Sequence, residues 1–148
     1  MSGTMHHLWT EALRVPFSDM DTLGHASHLA YFRYMQEARV AWVRSLVERL
    51  PREQAPVVAA ASCNYFAPVV YPAALEIEMT GGDAGRSSFR LRYSIRAGKA
   101  EPVATGETRM VWMDLVAKRS APLPHVVRAL LGPRTEWSRR CGQRSPVR

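Results

Sequence analysis

The densest group of side chains that could do chemistry lies in one short segment, FSDMDTLGHASH. It supplies two carboxylates and two imidazoles, from Asp19, Asp21, His25 and His28. The segment joins a predicted strand to a predicted helix, with Gly24 and Ser27 at the turn. A carboxylate ahead of a helix N-terminus lies beside unpaired backbone N–H groups that can polarise a substrate carbonyl. These residue types in this order suit acyl transfer.

Other interpretations of this segment are open on the residues alone. Either aspartate could cap a turn through local hydrogen bonds, a common use of Asp in loops. Two Asp and two His between positions 19 and 28 also resemble a metal-ligand set, but no zinc-type spacing surrounds them. A serine nucleophile has less support, because GHASH lacks the G-x-S-x-G elbow.

Two elements must position this segment. Residues 8 to 18 show broken alternation and predict a strand with Phe17 on its apolar side. Ser27 is the expected N-cap of a helix that runs from about residue 28 to residue 50, where Pro51 ends it. This helix is the longest predicted element.

The predicted helix has one narrow charged stripe and is apolar over most of its remaining surface. The charged stripe consists of Arg33, Glu37, Arg44 and Glu48. The i,i+4 spacing predicts surface pairs within the stripe, Arg33 with Glu37 and Arg44 with Glu48. We therefore expect the helix to be buried on most sides and the stripe, Glu37 included, to be structural.

The pattern from Val57 onward changes to at least four extended segments separated by turn residues. LEIEM and FRLRYSI alternate and should each bury one face, whereas VVAAAS is uniformly apolar and is expected to lie centrally. PLPHVVRALLG predicts a short closing helix between Pro124 and Gly132. This order predicts an α+β fold in which an antiparallel sheet wraps one dominant helix.

The chain of 148 residues, 47% of them apolar, is sized for one domain, which we place at residues 1–132. Residues 133–148 form a basic tail with a charge of +4 out of the total of +7, and we expect it to be poorly ordered. The tail has a single aromatic residue, Trp137, so nucleic-acid binding is not expected.

Two cysteines, Cys63 and Cys141, make neither a disulfide framework nor a metal pair, which favours a reducing cytoplasm. No apolar run is long enough to span a bilayer, so no membrane association is expected. Neither a phosphate-binding G-x-x-x-x-G-K-[ST] nor a dinucleotide-type G-x-G-x-x-G occurs, and no cofactor is expected.

A family resemblance rests on the run from Asp19 to His25 and on residues downstream of it. Those downstream residues are Tyr31, Tyr34, Glu37, Ala38 and Arg39. Together they resemble the signature of the hotdog-fold 4-hydroxybenzoyl-CoA thioesterase family, which includes the YbgC-like acyl-CoA thioesterases. The resemblance implies a hotdog fold over residues 8 to 120 and hydrolysis of an acyl-CoA to CoA and a carboxylic acid.

By this resemblance Asp21 is the catalytic carboxylate, acting as nucleophile through an acyl anhydride or as general base toward water. Gly24 and His25 belong to the same catalytic loop, and backbone N–H groups around Gly24 to Ser27 and at the start of the helix would polarise the thioester carbonyl. The family commonly has two Asn residues where this chain has Ser27 and His28. That difference changes the hydrogen bonds available to the loop.

The resemblance also implies an acyl-CoA substrate bound at the interface of a homodimer or homotetramer, without metal. Ser27, His28 and Tyr31 are the candidates for contact with the acyl end. Pocket depth is expected to depend on Tyr31, Phe32, Tyr65 and Phe66. The candidates for the CoA phosphates are Arg86, Ser88, Lys118 and Arg119, which lie at predicted strand ends or turns.

Two competing functions follow from the same residues. A hotdog protein can also transfer or dehydrate acyl thioesters, although the Asp-x-Asp-x-x-Gly-His arrangement favours hydrolysis. A different class is a non-catalytic acyl-CoA-binding or interaction module whose basic tail engages a partner.

Overall fold

The structure, a computed structural model, describes residues 3–132. In chain order the elements are β1 (His6–Arg14), α1 (His28–Leu46), β2 (Gln54–Tyr65), β3 (Ala74–Gly82), β4 (Ser88–Arg96), β5 (Ala104–Asp114), β6 (Arg119–Ser120) and α2 (His125–Leu131). The strands form an antiparallel sheet in the order β1-β3-β4-β5-β2, and the short β6 pairs with β5. The predicted tail at 133–148 lies outside the described residues.

The core forms where α1 packs on one face of the sheet. The buried residues of α1 are Ala30, Tyr31, Tyr34, Met35, Ala38, Trp42 and Leu46. Alternate residues of β3 and β4 are buried beneath them, as the LEIEM and FRLRYSI patterns predicted. Helix and strand approach closely at Gly106, where a Cβ would overlap Met35 Sδ. The predicted α+β arrangement, a sheet around one dominant helix, is confirmed.

The closing helix is also confirmed. Pro124 occupies its N-cap position and Gly132, with a φ of 77°, its C-cap. A positive φ at a helix end is a conformation that glycine adopts without a Cβ penalty. Of the described part of the chain, no helix is long and apolar enough to cross a membrane.

The prediction for the first strand is wrong at its C-terminal end. β1 ends at Arg14, and Phe17 begins a short 3-10 turn that extends to Asp19, with its side chain 71% exposed. Pro16 explains the early end, because proline has no N–H to donate to a strand ladder. The turn directs the chain toward α1.

The N-cap of α1 is as predicted, and the helical segment reaches Arg49, close to the predicted end before Pro51, but its last turn is a 3-10 turn. The Ser27 side chain accepts a hydrogen bond from the Leu29 N–H, whereas the α-helix ends at Leu46 and continues as a 3-10 turn over Val47–Arg49. Pro51 restricts the preceding residue to an extended conformation, so the last turn tightens before it.

The predicted burial of α1 on most sides is wrong for the single chain. Leu29, Val40 and Val47 are exposed and lie within about 20° of one another around the helix, at 100° per residue. We call them the apolar stripe. The predicted pairing of Arg33 with Glu37 is also wrong, because the Arg33 guanidinium pairs with Asp19 instead.

The prediction that VVAAAS lies centrally is wrong. The segment belongs to β2, which is the last strand in the sheet order and pairs with β5 alone among the described strands. Residues 57–62 are exposed in spite of their apolar character. A uniformly apolar strand indicates that both faces are covered, but here the described chain leaves Val57 39% and Val58 43% exposed.

Candidate active site

A tight turn holds Asp21 ahead of α1. The Gly24 N–H donates to the Asp21 carbonyl at 3.0 Å, and the Asp21 N–H donates to the His25 carbonyl at 2.8 Å. Gly24 has a φ of 76°, a conformation that glycine adopts without a Cβ penalty. The Leu23 N–H donates to Asp21 Oδ1 at 2.9 Å. This bond orients the exposed carboxylate through one oxygen, while the other has no hydrogen-bond partner within residues 3–132.

Asp19, the other carboxylate of the segment, is bound into the structure. Its Oδ2 accepts a hydrogen bond from the Tyr34 hydroxyl at 2.7 Å and pairs with the Arg33 guanidinium. Its side chain is 12% exposed and Tyr34 is 1% exposed. Burial, followed by the bond to Asp19, raises the pKa of Tyr34 above its usual range. Asp19 therefore ties the loop to α1 and lacks the accessibility of Asp21.

The backbone N–H groups of the loop divide into two sets. Gly24 donates to Asp21, Ala26 donates to the Val69 carbonyl at 2.7 Å, and Ser27 donates to the Asp19 carbonyl at 2.8 Å. Within residues 3–132, the N–H groups of His25 and His28 donate to no protein acceptor. Of the expected donors around Gly24 to Ser27 and the start of the helix, the amides of Gly24, Ala26 and Ser27 are engaged within the chain. The two histidine amides remain available.

A cavity of about 370 Å³ opens beside Asp21. Its lining residues are Asp21, His25, Ala26, His28, Tyr31, Tyr65, Phe66, Ala67 and Pro68. The Tyr31 and Tyr65 rings meet edge to face with their centroids 4.9 Å apart, and the Tyr65 hydroxyl donates to the His28 carbonyl at 2.9 Å. Burial raises the pKa of both phenols, that of Tyr65 to about 12, so both remain protonated near pH 7. The cavity is thus lined by a carboxylate and by aromatic side chains.

The structure brings most of the predicted loop residues to this cavity. Asp21, His25, His28 and Tyr31 line it, whereas Gly24 and Ser27 shape the turn and cap the helix without lining it. The expected aromatic residues Tyr65 and Phe66 line it and Phe32 does not; Ala67 and Pro68 were missed. Only the fold could identify the missed pair, because they follow the far strand β2 and carry no reactive group.

The candidate phosphate-binding residues lie elsewhere. Tyr65, beside the cavity, pairs with Ala104 at the start of β5, whereas Ser88 pairs with Val111 and Arg119 pairs with Asp114 near its end. Arg86 and Lys118 adjoin Ser88 and Arg119 in the chain. Seven residues of β5 span roughly 24 Å. A single chain therefore does not bring these four residues to Asp21.

The alternative interpretation of the loop as a metal site gains no support from neighbouring side chains in the described part of the chain. Among residues 3–132, no group of three or more His, Cys, Asp or Glu side chains is arranged to hold a metal ion. Asp19 is already engaged by Tyr34 and Arg33.

This arrangement of fold and loop can be compared with known proteins. A model of the thioesterase-like superfamily matches residues 15–131. A putative thioesterase from Pseudomonas aeruginosa, PA2801, is 33% identical and superposes with a TM-score of 0.77 over 83% of this chain and 97% of that one. A Thermus thermophilus thioesterase solved with coenzyme A and Zn is 26% identical, with a TM-score of 0.71 over 84% of this chain and 97% of that one.

An uncharacterized Bacillus subtilis protein, YsmA, is 32% identical over 98 residues, which is 66% of this chain and 67% of that protein. Fold and loop together define a hotdog protein of the thioester-hydrolase class. The chain belongs to the thioesterase-like superfamily.

Proposed function

We propose that the protein hydrolyses an acyl-CoA to CoA and a carboxylic acid, with Asp21 as the catalytic carboxylate. The observation that carries the proposal is the position of Asp21, accessible in the cavity and directly ahead of the N-terminus of α1. Asp19 is the alternative carboxylate, but its oxygen is engaged by Tyr34 and Arg33. The similarity to thioesterases at 33% and 26% identity supports the reaction class.

The amides of His25 and His28 are the proposed donors to the thioester oxygen. Both belong to residues that line the cavity, and the second is the first residue of a helix of 19 residues, where the positive end of the helix dipole lies. Preorganised backbone donors stabilise the negative charge that develops on the carbonyl oxygen. In this proposal the imidazole of His28 contacts the substrate without transferring a proton.

Two routes for Asp21 are compatible with this geometry. As a nucleophile, its oxygen attacks the carbonyl carbon, the C–S bond breaks, CoA leaves as a thiol after gaining a proton, and water hydrolyses the anhydride. As a general base, Asp21 takes a proton from a water molecule that attacks the same carbon, and that proton goes to the leaving thiolate. Label in Asp21 after a single turnover in ¹⁸O-labelled water demonstrates the nucleophilic route, because water that attacks the Asp21 carbonyl carbon of the anhydride leaves its oxygen on that side chain.

We further propose that a second copy of the chain completes the binding site. The open edge of β2 and the apolar stripe of α1 are both exposed and apolar. If two β2 strands pair antiparallel, the Gln54 end of one strand approaches the Tyr65 end of the other. The Arg86, Ser88, Lys118 and Arg119 cluster of one subunit then lies nearer the cavity of its partner and can bind the CoA phosphates.

A cytoplasmic location belongs to the same proposal. It is supported by Cys63, a half-buried free thiol whose pKa is raised by burial. Such a thiol persists in a reducing compartment.

The proposal is tested by Asp21→Asn, assayed with a panel of acyl-CoA thioesters and detection of released thiol. We expect kcat/KM to fall at least a hundredfold, the usual range for loss of a general base being about 10²–10⁴. Asp19→Asn is the matched control, since it removes the charge of the neighbouring carboxylate while keeping an acceptor for Tyr34. Full activity of Asp21→Asn would refute the assignment.

A further inference from the structure

Tyr65 forms the boundary of the cavity on the side of β2. It is the last residue of that strand, and its hydroxyl donates to the His28 carbonyl in the first turn of α1. Its ring packs edge to face against Tyr31. Tyr65 is 44% exposed and Tyr31 only 3%. The outer ring is therefore held at two points while one face remains open to the cavity.

The interior behind this pair is filled. Tyr34 lies next to Tyr31, with ring centroids 5.7 Å apart, and it is buried together with Met35. Neither residue lines the cavity. The cavity therefore ends at the Tyr31 and Tyr65 rings and has no apolar extension along the helix.

The available depth is short. Tyr31 is four residues beyond the Ser27 N-cap, an axial distance of roughly 6 Å at 1.5 Å per residue. Side chains on a helix also lean toward its N-terminus, which brings the Tyr31 ring nearer the opening. The charged CoA moiety must reach solvent, so the acyl group takes the aromatic side. Within one chain, an acyl group whose carbonyl lies at the His28 amide therefore meets the Tyr31 and Tyr65 rings after only a few carbons.

We propose that Tyr65, supported by Tyr31, sets the upper size limit of the acyl group and restricts the site to short acyl chains. This inference rests on the proposed thioesterase function and concerns the same cavity. Tyr65 acts by excluding volume, and its hydrogen bond to the His28 carbonyl keeps the ring in place. Tyr65 is thus a specificity-determining residue without a part in the chemical step.

The test compares kcat/KM for butyryl-CoA and octanoyl-CoA in wild type, Tyr65→Ala and Tyr65→Phe. A methylene accepted or rejected by an apolar pocket changes kcat/KM about 10–200-fold. We expect wild type to prefer butyryl-CoA at least tenfold and Tyr65→Ala to reduce that preference at least tenfold. Tyr65→Phe loses the hydrogen bond but retains the ring and its edge-to-face contact with Tyr31, so it should keep the preference.

Tyr71→Ala is the matched control. Tyr71 is 47% exposed and also packs edge to face against an aromatic ring, that of Phe17 at 5.4 Å, but it lines a neighbouring groove. Its replacement should leave the chain-length preference unchanged. An equal shift in Tyr71→Ala would overturn the inference, because loss of any exposed tyrosine would then suffice.

A binding measurement separates this inference from the proposed function. Butyryl-CoA and octanoyl-CoA are titrated calorimetrically into Asp21→Asn and into Asp21→Asn with Tyr65→Ala. Hydrolysis by wild type with the same chain-length profile in Tyr65→Ala refutes the size limit and leaves the thioesterase proposal standing. If wild type hydrolyses neither substrate, and octanoyl-CoA binds more tightly to Asp21→Asn with Tyr65→Ala than to Asp21→Asn alone, the thioesterase proposal is refuted and the size limit is supported. Equal binding in both variants refutes the size limit.

Discussion

Replacing Asp19 by alanine should destabilise the protein without removing the carboxylate assigned to catalysis. The Tyr34 hydroxyl, in a side chain only 1% exposed, loses its acceptor, and an unsatisfied buried polar group costs about 1–3 kcal/mol. Loss of the pair with Arg33, whose side chain is 45% exposed, adds only about 0.2–1 kcal/mol. We expect a loss of about 2–3 kcal/mol and, at about 2–4 °C per kcal/mol, a Tm lower by roughly 4–12 °C.

Urea unfolding followed by tryptophan fluorescence measures this loss, at one fixed protein concentration because association would contribute to stability. The double variant Asp19→Ala with Tyr34→Phe removes both partners of the hydrogen bond. It should lose less than the sum of the two single variants, by about 1–2 kcal/mol. Strict additivity, or an unchanged Tm in Asp19→Ala, would show that Asp19 does not hold Tyr34 in solution. Asp21→Asn should show the opposite pattern, with activity lost and Tm nearly unchanged.

Three further outcomes are expected. Gly24→Ala should lower the free energy of unfolding by about 1–2 kcal/mol, because a φ of 76° strains any residue with a Cβ. It should also lower thiol release by moving Asp21. Normal stability and activity would contradict this. Because the pKa of Tyr34 is raised in the folded protein, its contribution to the free energy of unfolding is fully present below its ordinary pKa of about 10. That contribution falls as pH rises above this value. Urea titrations at about pH 9 and about pH 11 should therefore show a smaller fall in Tyr34→Phe than in wild type, and an equal fall would refute the attribution. Val40→Glu, which places a charge in the apolar stripe, should yield an assembly of lower mass than wild type by light scattering. Glu37→Ala, in the charged stripe, should leave the mass unchanged. The same mass for Val40→Glu and wild type would contradict the proposed interface.

Local patterns were sufficient for the elements whose structure depends on near neighbours. Ser27 caps α1 and Gly132 follows α2 as expected, because capping satisfies backbone groups within one turn. The alternation in β3 and β4 correctly indicated one buried face, since side chains of a strand point alternately to its two sides. The cluster around Asp21 was also evident, because its reactive residues lie within one loop.

Strand position was beyond the reach of these patterns. β2 was expected in the centre of the sheet because VVAAAS is apolar, but the structure places it at an edge. An apolar strand pattern predicts that the faces of the strand are buried. It does not indicate whether the same chain or a second chain buries them. The same question arises for the exposed Leu29 and Val40 of α1 and for Val47 directly after it.

The sequence by itself determined the long helix, the alternating strands and the loop that carries Asp21, because each depends on contacts within a few residues. Only the tertiary structure decided which carboxylate is accessible, since Tyr34 engages Asp19 from 15 residues away. It also decided that Tyr65 lines the cavity beside Asp21, held by a hydrogen bond to the His28 carbonyl 37 residues away in the chain. Such contacts depend on how the sheet curls around the helix. The spacing of residues along the chain does not reveal which distant residues the fold brings together.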